Sequence, residues 1–227
     1  MKLVIFDCDG TLIDSQHAIC ASMAQAFDGL GLAPPPRAEV LGIVGLSLPE
    51  ALLALAPRQS EMVRRQLVDA YKNGFAGVRA QLGDSEPLYD GIAAAIGAFS
   101  ARTDTVLGIA TGKSKRGVAR LLAQEGWHGH FVTIQTADDH PSKPHPSMIR
   151  QAMAEAGAEP HDTVMIGDTT YDMEMARNAG VGALGVAWGY HAPDRLTRAG
   201  AHAVILDGSD IVGAIEARLE AQRKAIP

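Results

Sequence analysis

The feature that most constrains this sequence is a short acidic segment, Asp7-Cys-Asp-Gly-Thr11, directly after an apolar run. That run, residues 2–6, is rich in β-branched and aromatic side chains and is typical of a buried strand. Ligands of open α/β sheets bind outside the carboxyl ends of the strands. Asp7 and Asp9 therefore stand where such a sheet does its chemistry, and Gly10 permits a turn that lets both carboxylates surround one small ligand.

Two other interpretations of this segment are weaker. A calcium-binding loop of the EF-hand type needs a Glu at its last ligand position, which is missing here, and it does not follow a strand. Cys8 could be a nucleophile, but the flanking carboxylates raise the pKa of its thiol and suppress the thiolate. We therefore interpret Cys8 as a small side chain that fills space in the strand.

Length and composition indicate a protein with one α/β core and an inserted smaller module. The chain has 227 residues, of which 47% are hydrophobic and 20% charged, and no apolar run is long enough to span a bilayer. A net charge of −6 argues against a nucleic-acid partner. Only two cysteines occur, with no leader pattern, so we expect a cytoplasmic protein without a membrane partner, either a monomer or a homodimer.

Residues 15–85 have a purely helical pattern. Ser15 is predicted to cap a first helix, Ser47 and Glu50 to form a capping box for a short one, and residues 60–80 to form a long amphipathic helix. Because no strand interrupts them, we predict an all-helical domain at 15–85, inserted into a core domain made of 1–14 and 86–227. The linkers are expected near residues 12–14 and 85–91.

The rest of the chain alternates between strand and helix. Strands are predicted at 105–110, 131–135, 163–166, 182–187 and 203–206, and helices at 91–101, 114–124, 146–156, 168–179 and from 209 onward. Such alternation implies right-handed crossovers and a parallel sheet. The predicted fold is therefore α/β, with a Rossmann-like parallel sheet flanked by helices.

Every chemically distinctive side chain in this alternating region follows the end of a predicted strand. Asp168 and Asp172 add carboxylates to those of Asp7 and Asp9, and a site of hard oxygen ligands suits Mg²⁺. Thr111, the Gly112 amide near a helix start and Lys143 suit an anion. A magnesium site beside an anion site indicates phosphate chemistry, in which one carboxylate attacks phosphorus and another moves the proton.

With these residues in place, the sequence resembles the haloacid dehalogenase-like hydrolase superfamily. Its phosphatases carry D-x-D-G-T after the first strand, then a Thr or Ser, a Lys before a helix, and a late acidic G-D-x-x-x-D. All four motifs occur here in that order, and they extend over essentially the whole chain. The helical insertion resembles the cap of the subgroup that includes phosphoglycolate phosphatases, β-phosphoglucomutases and phosphonoacetaldehyde hydrolases.

The resemblance implies a role for each matching residue. It makes Asp7 the nucleophile and Asp9 the general acid and base. It also implies that Mg²⁺ is held by Asp7, the Asp9 backbone carbonyl and Asp168, with Asp172 acting through the metal's water shell. The phosphate of a small-molecule ester would be held by Thr111, Gly112 and Lys143.

The resemblance also ranks the possible activities. Asp9 argues against a dehalogenase, and Lys72, the only lysine at 15–85, lies too far into its helix for the Schiff-base lysine of a phosphonoacetaldehyde hydrolase. A β-phosphoglucomutase-like mutase ranks second to a phosphatase, because residues 45–49 lack a cap arginine. A catalytically idle regulatory or binding protein is disfavoured, because no catalytic position is lost.

Phosphoglycolate is the nearest substrate by resemblance, although Asp90 stands where the family has Pro. Other charged residues are expected to lie outside the site. Arg58, Arg64 and Arg65 are interpreted as solvated helix charges, Asp138 and Asp139 as loop or capping carboxylates, and His145 and His191 as loop residues rather than ligands.

Overall fold

The computed structural model describes residues 1–82 and 86–225 and contains one six-stranded, fully parallel sheet. Its strand order is β3-β2-β1-β4-β5-β6. In chain order the strands are β1 (Lys2–Phe6), β2 (Thr105–Thr111), β3 (Phe131–Thr136), β4 (Thr163–Gly167), β5 (Gly182–Val186) and β6 (Ala203–Ile205). The predicted α/β fold class is confirmed, and β1 lies in the middle of the sheet, with its acidic segment beside the ends of β2 and β4.

Helices cover both faces of the sheet, as the continuous apolar strands require. One face packs against α5 (Ile92–Ser100), α6 (Lys115–Gln124) and α10 (Ile211–Lys224). The other face packs against α7 (Ser147–Ala156), α8 (Thr170–Ala179) and α9 (Pro193–Arg198). Phe6 belongs to the first core cluster and Ile5 to the second, both fully buried, so alternate residues of β1 hold the two layers together.

Helix α9 was not predicted. It is only six residues long, too short for a periodic pattern, and it begins with a proline at its first turn. It is held by Leu196, which is fully buried against the sheet. A short helix held by one buried side chain is stable only when the surrounding core has formed.

The inserted region is helical, as predicted. It contains α1 (Gln16–Gly29), α2 (Arg37–Gly42), α3 (Leu48–Leu55) and α4 (Glu61–Gln81), which share a separate apolar cluster around Met23, Leu52 and Leu67. Ser60 caps α4 by accepting a hydrogen bond from the Val63 amide, as the sequence suggested.

Two predicted caps were wrong. Ser15 and Ser47 do occupy the N-cap positions of α1 and α3, but neither side chain bonds to its helix. The Ser15 hydroxyl instead donates to Asp9, and the Ser47 amide donates to the Ser142 hydroxyl, which lies outside the helix. Tertiary partners have replaced the local capping bonds.

The two segments that lead into and out of the insertion run side by side. Ile13 and Leu88 form an antiparallel bridge, the Asp14 amide donates to Pro87 O at 2.8 Å, and the Tyr89 amide donates to Leu12 O at 3.1 Å. The division into a cap domain and a core domain remains a prediction, and its boundary at Ser85 lies outside the described residues. Within the described residues, no helix is both long and apolar enough to cross a membrane.

Candidate functional site

The residues predicted from sequence to carry the chemistry converge at the carboxyl edge of the sheet. Asp7 follows β1, Thr111 ends β2 and Asp168 follows β4, and these three strands are neighbours. Lys143 comes from the loop between β3 and α7 and is 1% exposed despite its charge. Parallel pairing brings these segments to one place, although more than 150 residues separate the first from the last.

The centre of the site is a buried cluster of three carboxylates, Asp7, Asp168 and Asp172. Each offers an oxygen, and these oxygens all lie within 4.8 Å of one another. The Lys143 ammonium lies 3.0 Å from Asp7 Oδ1 and 2.6 Å from Asp172 Oδ1. Three carboxylates beside one ammonium leave two uncompensated negative charges, which a divalent cation with oxygen ligands would offset.

Hydrogen bonds orient two of these carboxylates. Asp168 accepts from the Thr11 hydroxyl at 2.9 Å and from the Tyr190 amide at 2.8 Å. Asp172 accepts from the Thr169 amide and hydroxyl, in a reciprocal capping box at the start of α8. Asp172 is therefore both a helix cap and a member of the acidic cluster.

Asp7 is held differently. Its Oδ1 accepts a 2.7 Å hydrogen bond from the Cys8 amide and faces Lys143, but its buried Oδ2 has no hydrogen-bond partner among the residues that the structure describes. A buried oxygen without a partner is costly unless a ligand or metal satisfies it. This orphaned oxygen and the charge imbalance both fit a bound Mg²⁺.

The pKa values reflect the same crowding. Burial raises the pKa of Asp7 to about 6, with Lys143 opposing the rise and Asp172 adding to it. Burial, followed by the charges of Asp172 and Asp7, raises the pKa of Asp168 well above its ordinary value. Burial alone would lower the pKa of Lys143, but Asp172 and Asp7 outweigh it and raise the pKa. Without a bound cation, the buried carboxylates repel one another and destabilise their ionised forms.

Gly10 lets the backbone pass close to the cluster. It has φ +85°, and a Cβ there would lie 2.2 Å from Asp168 Oδ2. A side chain would therefore both strain the backbone and displace a candidate metal ligand. Gly10, which the sequence predicted for the turn, therefore also leaves room for the Asp168 carboxylate.

Asp9 lies beside the cluster in a polar network that sequence reasoning missed. Its Oδ1 accepts from the Ser15 hydroxyl at 2.6 Å and from Lys113 Nζ at 2.7 Å. Lys113 also lies 3.4 Å from Glu86, which is 4% exposed and follows the insertion. The one available signal was a lysine directly after Thr-Gly at a strand end.

A cavity of about 370 Å³ opens from Asp7 and Asp9 towards the inserted helices. The insertion closes tightly over it: a Cβ on Gly112 would lie 2.7 Å from the carbonyl oxygen of Gly45. The Gly42 carbonyl accepts hydrogen bonds from the Tyr171 hydroxyl at 3.1 Å and from His191 Nε2 at 3.2 Å. His191 is thus a buried contact between core and insertion rather than a plain loop residue.

Other charged residues fall where expected. Asp138 accepts a hydrogen bond from the Lys115 amide at the start of α6, and Asp139 pairs with Lys115. Lys72, by contrast, lines the cavity. Arg58, Arg64 and Arg65 do not line it, in the part of the chain that the structure describes.

Comparisons with known proteins agree with this architecture. The family model described as haloacid dehalogenase-like hydrolase matches residues 4–186. The chain is 35% identical to the probable phosphatase IndB of Dickeya dadantii, covering 96% of this chain and 95% of that protein. It is 30% identical to a phosphoglycolate phosphatase of Agrobacterium fabrum, covering 83% and 81% respectively.

A solved structure gives the same fold. The crystal structure of a hydrolase from Pseudomonas syringae superimposes with a TM-score of 0.82 at 23% identity, covering 96% of this chain and 99% of that one. The match extends over the sheet and the helical insertion alike. The chain therefore belongs to the haloacid dehalogenase-like hydrolases, which confirms the resemblance and the predicted class of enzyme.

Proposed function

We propose that this chain is a Mg²⁺-dependent phosphatase that hydrolyses a small-molecule phosphate monoester through an aspartyl phosphate on Asp7. The observation that carries the proposal is the state of Asp7, whose Oδ1 is fixed by Lys143 and Cys8 while its buried Oδ2 has no partner in the described part of the chain. Asp7 also lines the cavity. A fixed carboxylate with one free oxygen at the base of a cavity is suited to nucleophilic attack.

Mg²⁺ would be held by Asp7, Asp168 and the Asp9 backbone carbonyl, with Asp172 acting through the water shell. When bound, the ion offsets the excess negative charge and polarises the phosphoryl group. Thr111, the Gly112 amide and Lys143 would hold the phosphate oxygens. Lys143 is suited to this because its raised pKa keeps it positively charged.

The reaction has two steps. In the first, an Asp7 oxygen bonds to phosphorus, the bond from phosphorus to the ester oxygen breaks, and Asp9 gives its proton to the leaving oxygen. In the second, Asp9 takes a proton from water, which attacks phosphorus and releases phosphate from Asp7. Ser15 and Lys113 both bond to Asp9 Oδ1, and they orient the carboxyl group for these transfers.

The substrate is less constrained than the chemistry. Phosphoglycolate follows from the resemblance and from the name of one relative, but the probable phosphatase with higher identity does not carry that name. Asp90 in place of the family's Pro also weakens the link to phosphoglycolate enzymes. We keep phosphoglycolate as the reference compound for any substrate panel.

The test is turnover of p-nitrophenyl phosphate with and without Mg²⁺, followed by capture of the intermediate. Wild type incubated with labelled substrate and quenched in acid should carry the label on Asp7. Asp7→Asn should carry none and should have no turnover. Asp162→Asn, which removes a carboxylate far from the cavity, should behave like wild type in both assays.

The outcomes separate the alternatives. Label on another residue, or full activity of Asp7→Asn, would refute the mechanism. An idle binding protein would turn over no ester, and a mutase would pass the label to a sugar phosphate rather than to water.

A further inference from the structure

The cavity extends well beyond the space needed for a phosphate group. Its volume of about 370 Å³ lies within the range of roughly 300–1,000 Å³ that is common for sites that bind small molecules. One end contains Asp7, Asp9, Thr111 and Gly112, where the phosphate is proposed to bind. The remaining space must accommodate the alcohol part of the ester.

The part of the cavity lining that comes from the insertion is mostly apolar. Six of its larger apolar side chains are Ile19, Met23, Val44, Leu48, Tyr71 and Phe75. Tyr71 and Phe75 lie one turn apart on α4, with ring centroids 5.6 Å apart and planes tilted by 42°. Both rings also pack against the apolar cluster of the insertion, which fixes them in position. We call this set the apolar wall.

The apolar wall lies beside the proposed proton donor. Tyr71 and Asp9 line the same cavity. Burial, together with the charges of Asp9 and Glu86, raises the pKa of the Tyr71 hydroxyl, which therefore stays neutral. Because Asp9 is proposed to protonate the leaving oxygen, the alcohol must lie next to Asp9 during the reaction. An alcohol in this cavity can therefore pack against the aromatic and aliphatic side chains of the apolar wall.

The lysine and arginine side chains that line the cavity are either paired with carboxylates or exposed to solvent, so they do not form a buried second anion site. Lys113 is paired with Asp9 and Glu86, and Arg120 lies 3.5 Å from Glu86. Lys72 and Arg116 have no ion-pair partner within the described residues, but both are exposed to solvent. Exposed cations are well hydrated and contribute little affinity, so the buried apolar surface should dominate recognition.

We infer that the preferred substrates are phosphate monoesters whose alcohol carries an apolar or aromatic part that packs on the apolar wall, rather than short acids such as phosphoglycolate. The inference rests on the proposed phosphatase function and adds the substrate class. Burying each methylene contributes about 0.8 kcal/mol, which corresponds to about fourfold in kcat/KM.

The test is a series of esters that differ only in the alcohol: methyl, propyl, butyl and hexyl phosphate, then 2-phenylethyl phosphate. Their leaving groups have similar basicity, so differences in kcat/KM report on binding of the alcohol. We expect kcat/KM to rise about fourfold per methylene from propyl to hexyl and to be higher for 2-phenylethyl phosphate than for phosphoglycolate. A flat series, or a preference for phosphoglycolate, would overturn the inference while p-nitrophenyl phosphate is still hydrolysed.

Variants connect this preference to the apolar wall. Phe75→Ala should lower kcat/KM for 2-phenylethyl phosphate about tenfold and for methyl phosphate less than twofold. Phe75→Leu keeps the insertion packed if the alanine variant is unstable, and it should show the same selective loss to a smaller degree. Val68→Ala, on the same helix but away from the cavity, should leave the ratio of the two substrates unchanged.

Two further results are decisive. An equal loss for both esters in Phe75→Ala and Phe75→Leu would contradict a role in selecting the alcohol. A selective loss of phosphoglycolate turnover in Arg116→Ala, with that ester the best substrate, would assign the cavity to a second anion instead. If no ester at all is hydrolysed by the folded protein, the proposed function fails and the inference falls with it.

Discussion

Replacing Asp168 by Asn should stabilise the protein in the absence of metal and destabilise it relative to wild type in excess Mg²⁺. Asp168 is fully buried, with the oxygens of Asp7 and Asp172 within 4.8 Å. The substitution removes one negative charge from a cluster that holds three carboxylates and one ammonium. It also removes one of the proposed metal ligands, so the two effects have opposite signs.

The magnitude follows from these distances. Two like charges 4.8 Å apart repel by about 3 kcal/mol at an effective dielectric constant of about 20. Asn keeps only one acceptor for the Thr11 hydroxyl and the Tyr190 amide, so one hydrogen bond worth about 1 kcal/mol is lost. The net gain of about 1–3 kcal/mol should raise the Tm in chelator by about 2–12 °C for a chain of this size.

Added Mg²⁺ should reverse the order. An ion present at about 100 times its Kd stabilises the native state by about 2.7 kcal/mol. Wild type should gain that amount, whereas Asp168→Asn should gain much less because it lacks one ligand carboxylate. The Tm curves of the two proteins should therefore cross as Mg²⁺ is titrated.

The effect should also depend on pH. The pKa of Asp168 is raised on folding, so its unfavourable contribution is absent below its ordinary pKa and grows as pH rises through the folded value. In chelator, the advantage of Asp168→Asn should be small near pH 4 and largest near pH 8. The pKa of Asp162 is lowered instead: burial would raise it, but the hydrogen bond and charge of Arg223, with the charge of His161, together outweigh burial. Asp162→Asn should thus lose stability at pH 8 and less near pH 4.

Scanning calorimetry in chelator and in Mg²⁺, at several pH values, measures all of these terms. Asp162→Asn is the control for loss of a buried carboxylate, and it should keep the full Mg²⁺ shift of wild type. If Asp168→Asn were less stable than wild type in chelator, the cluster would not be electrostatically stressed. If the variant kept the full Mg²⁺ shift, Asp168 would not be a ligand.

Three other expectations follow from the site. Asp9→Asn should reduce kcat by about 10²–10⁴-fold for alkyl esters and much less for p-nitrophenyl phosphate, whose leaving group needs no proton, and an equal loss for both would argue against proton donation. Gly112→Ala places a Cβ 2.7 Å from the Gly45 oxygen and should lower kcat/KM at least tenfold without changing the circular dichroism spectrum. Tyr171→Phe removes one hydrogen bond to the Gly42 carbonyl, so small-angle scattering without substrate should give a larger radius of gyration; an unchanged profile would mean that this bond does not hold the insertion closed.

The class of the fold, the order of its strands and helices apart from α9, and the convergence of the predicted site residues were accessible from sequence. Buried strands of a parallel sheet are continuous apolar runs, and the helices between them have clear periodicity. Because parallel strands present their carboxyl ends at one edge, the positions of Asp7, Thr111 and Asp168 after three such runs were enough to predict that they meet. The roles assigned to them remain predictions.

Contacts between distant segments were decided only by the tertiary structure. Lys113 donates a hydrogen bond to Asp9, which is 104 positions away in the chain. The Ser15 hydroxyl, predicted to cap a helix, donates to the same carboxylate instead. Helix α9 depends on a single buried leucine. The α4 residues of the apolar wall have, in sequence, the same spacing as any amphipathic helix face. Local sequence patterns predict which residues are buried and in which helix or strand they lie. The hydrogen-bond partner of a side chain depends on the distances between these elements, which only tertiary packing determines.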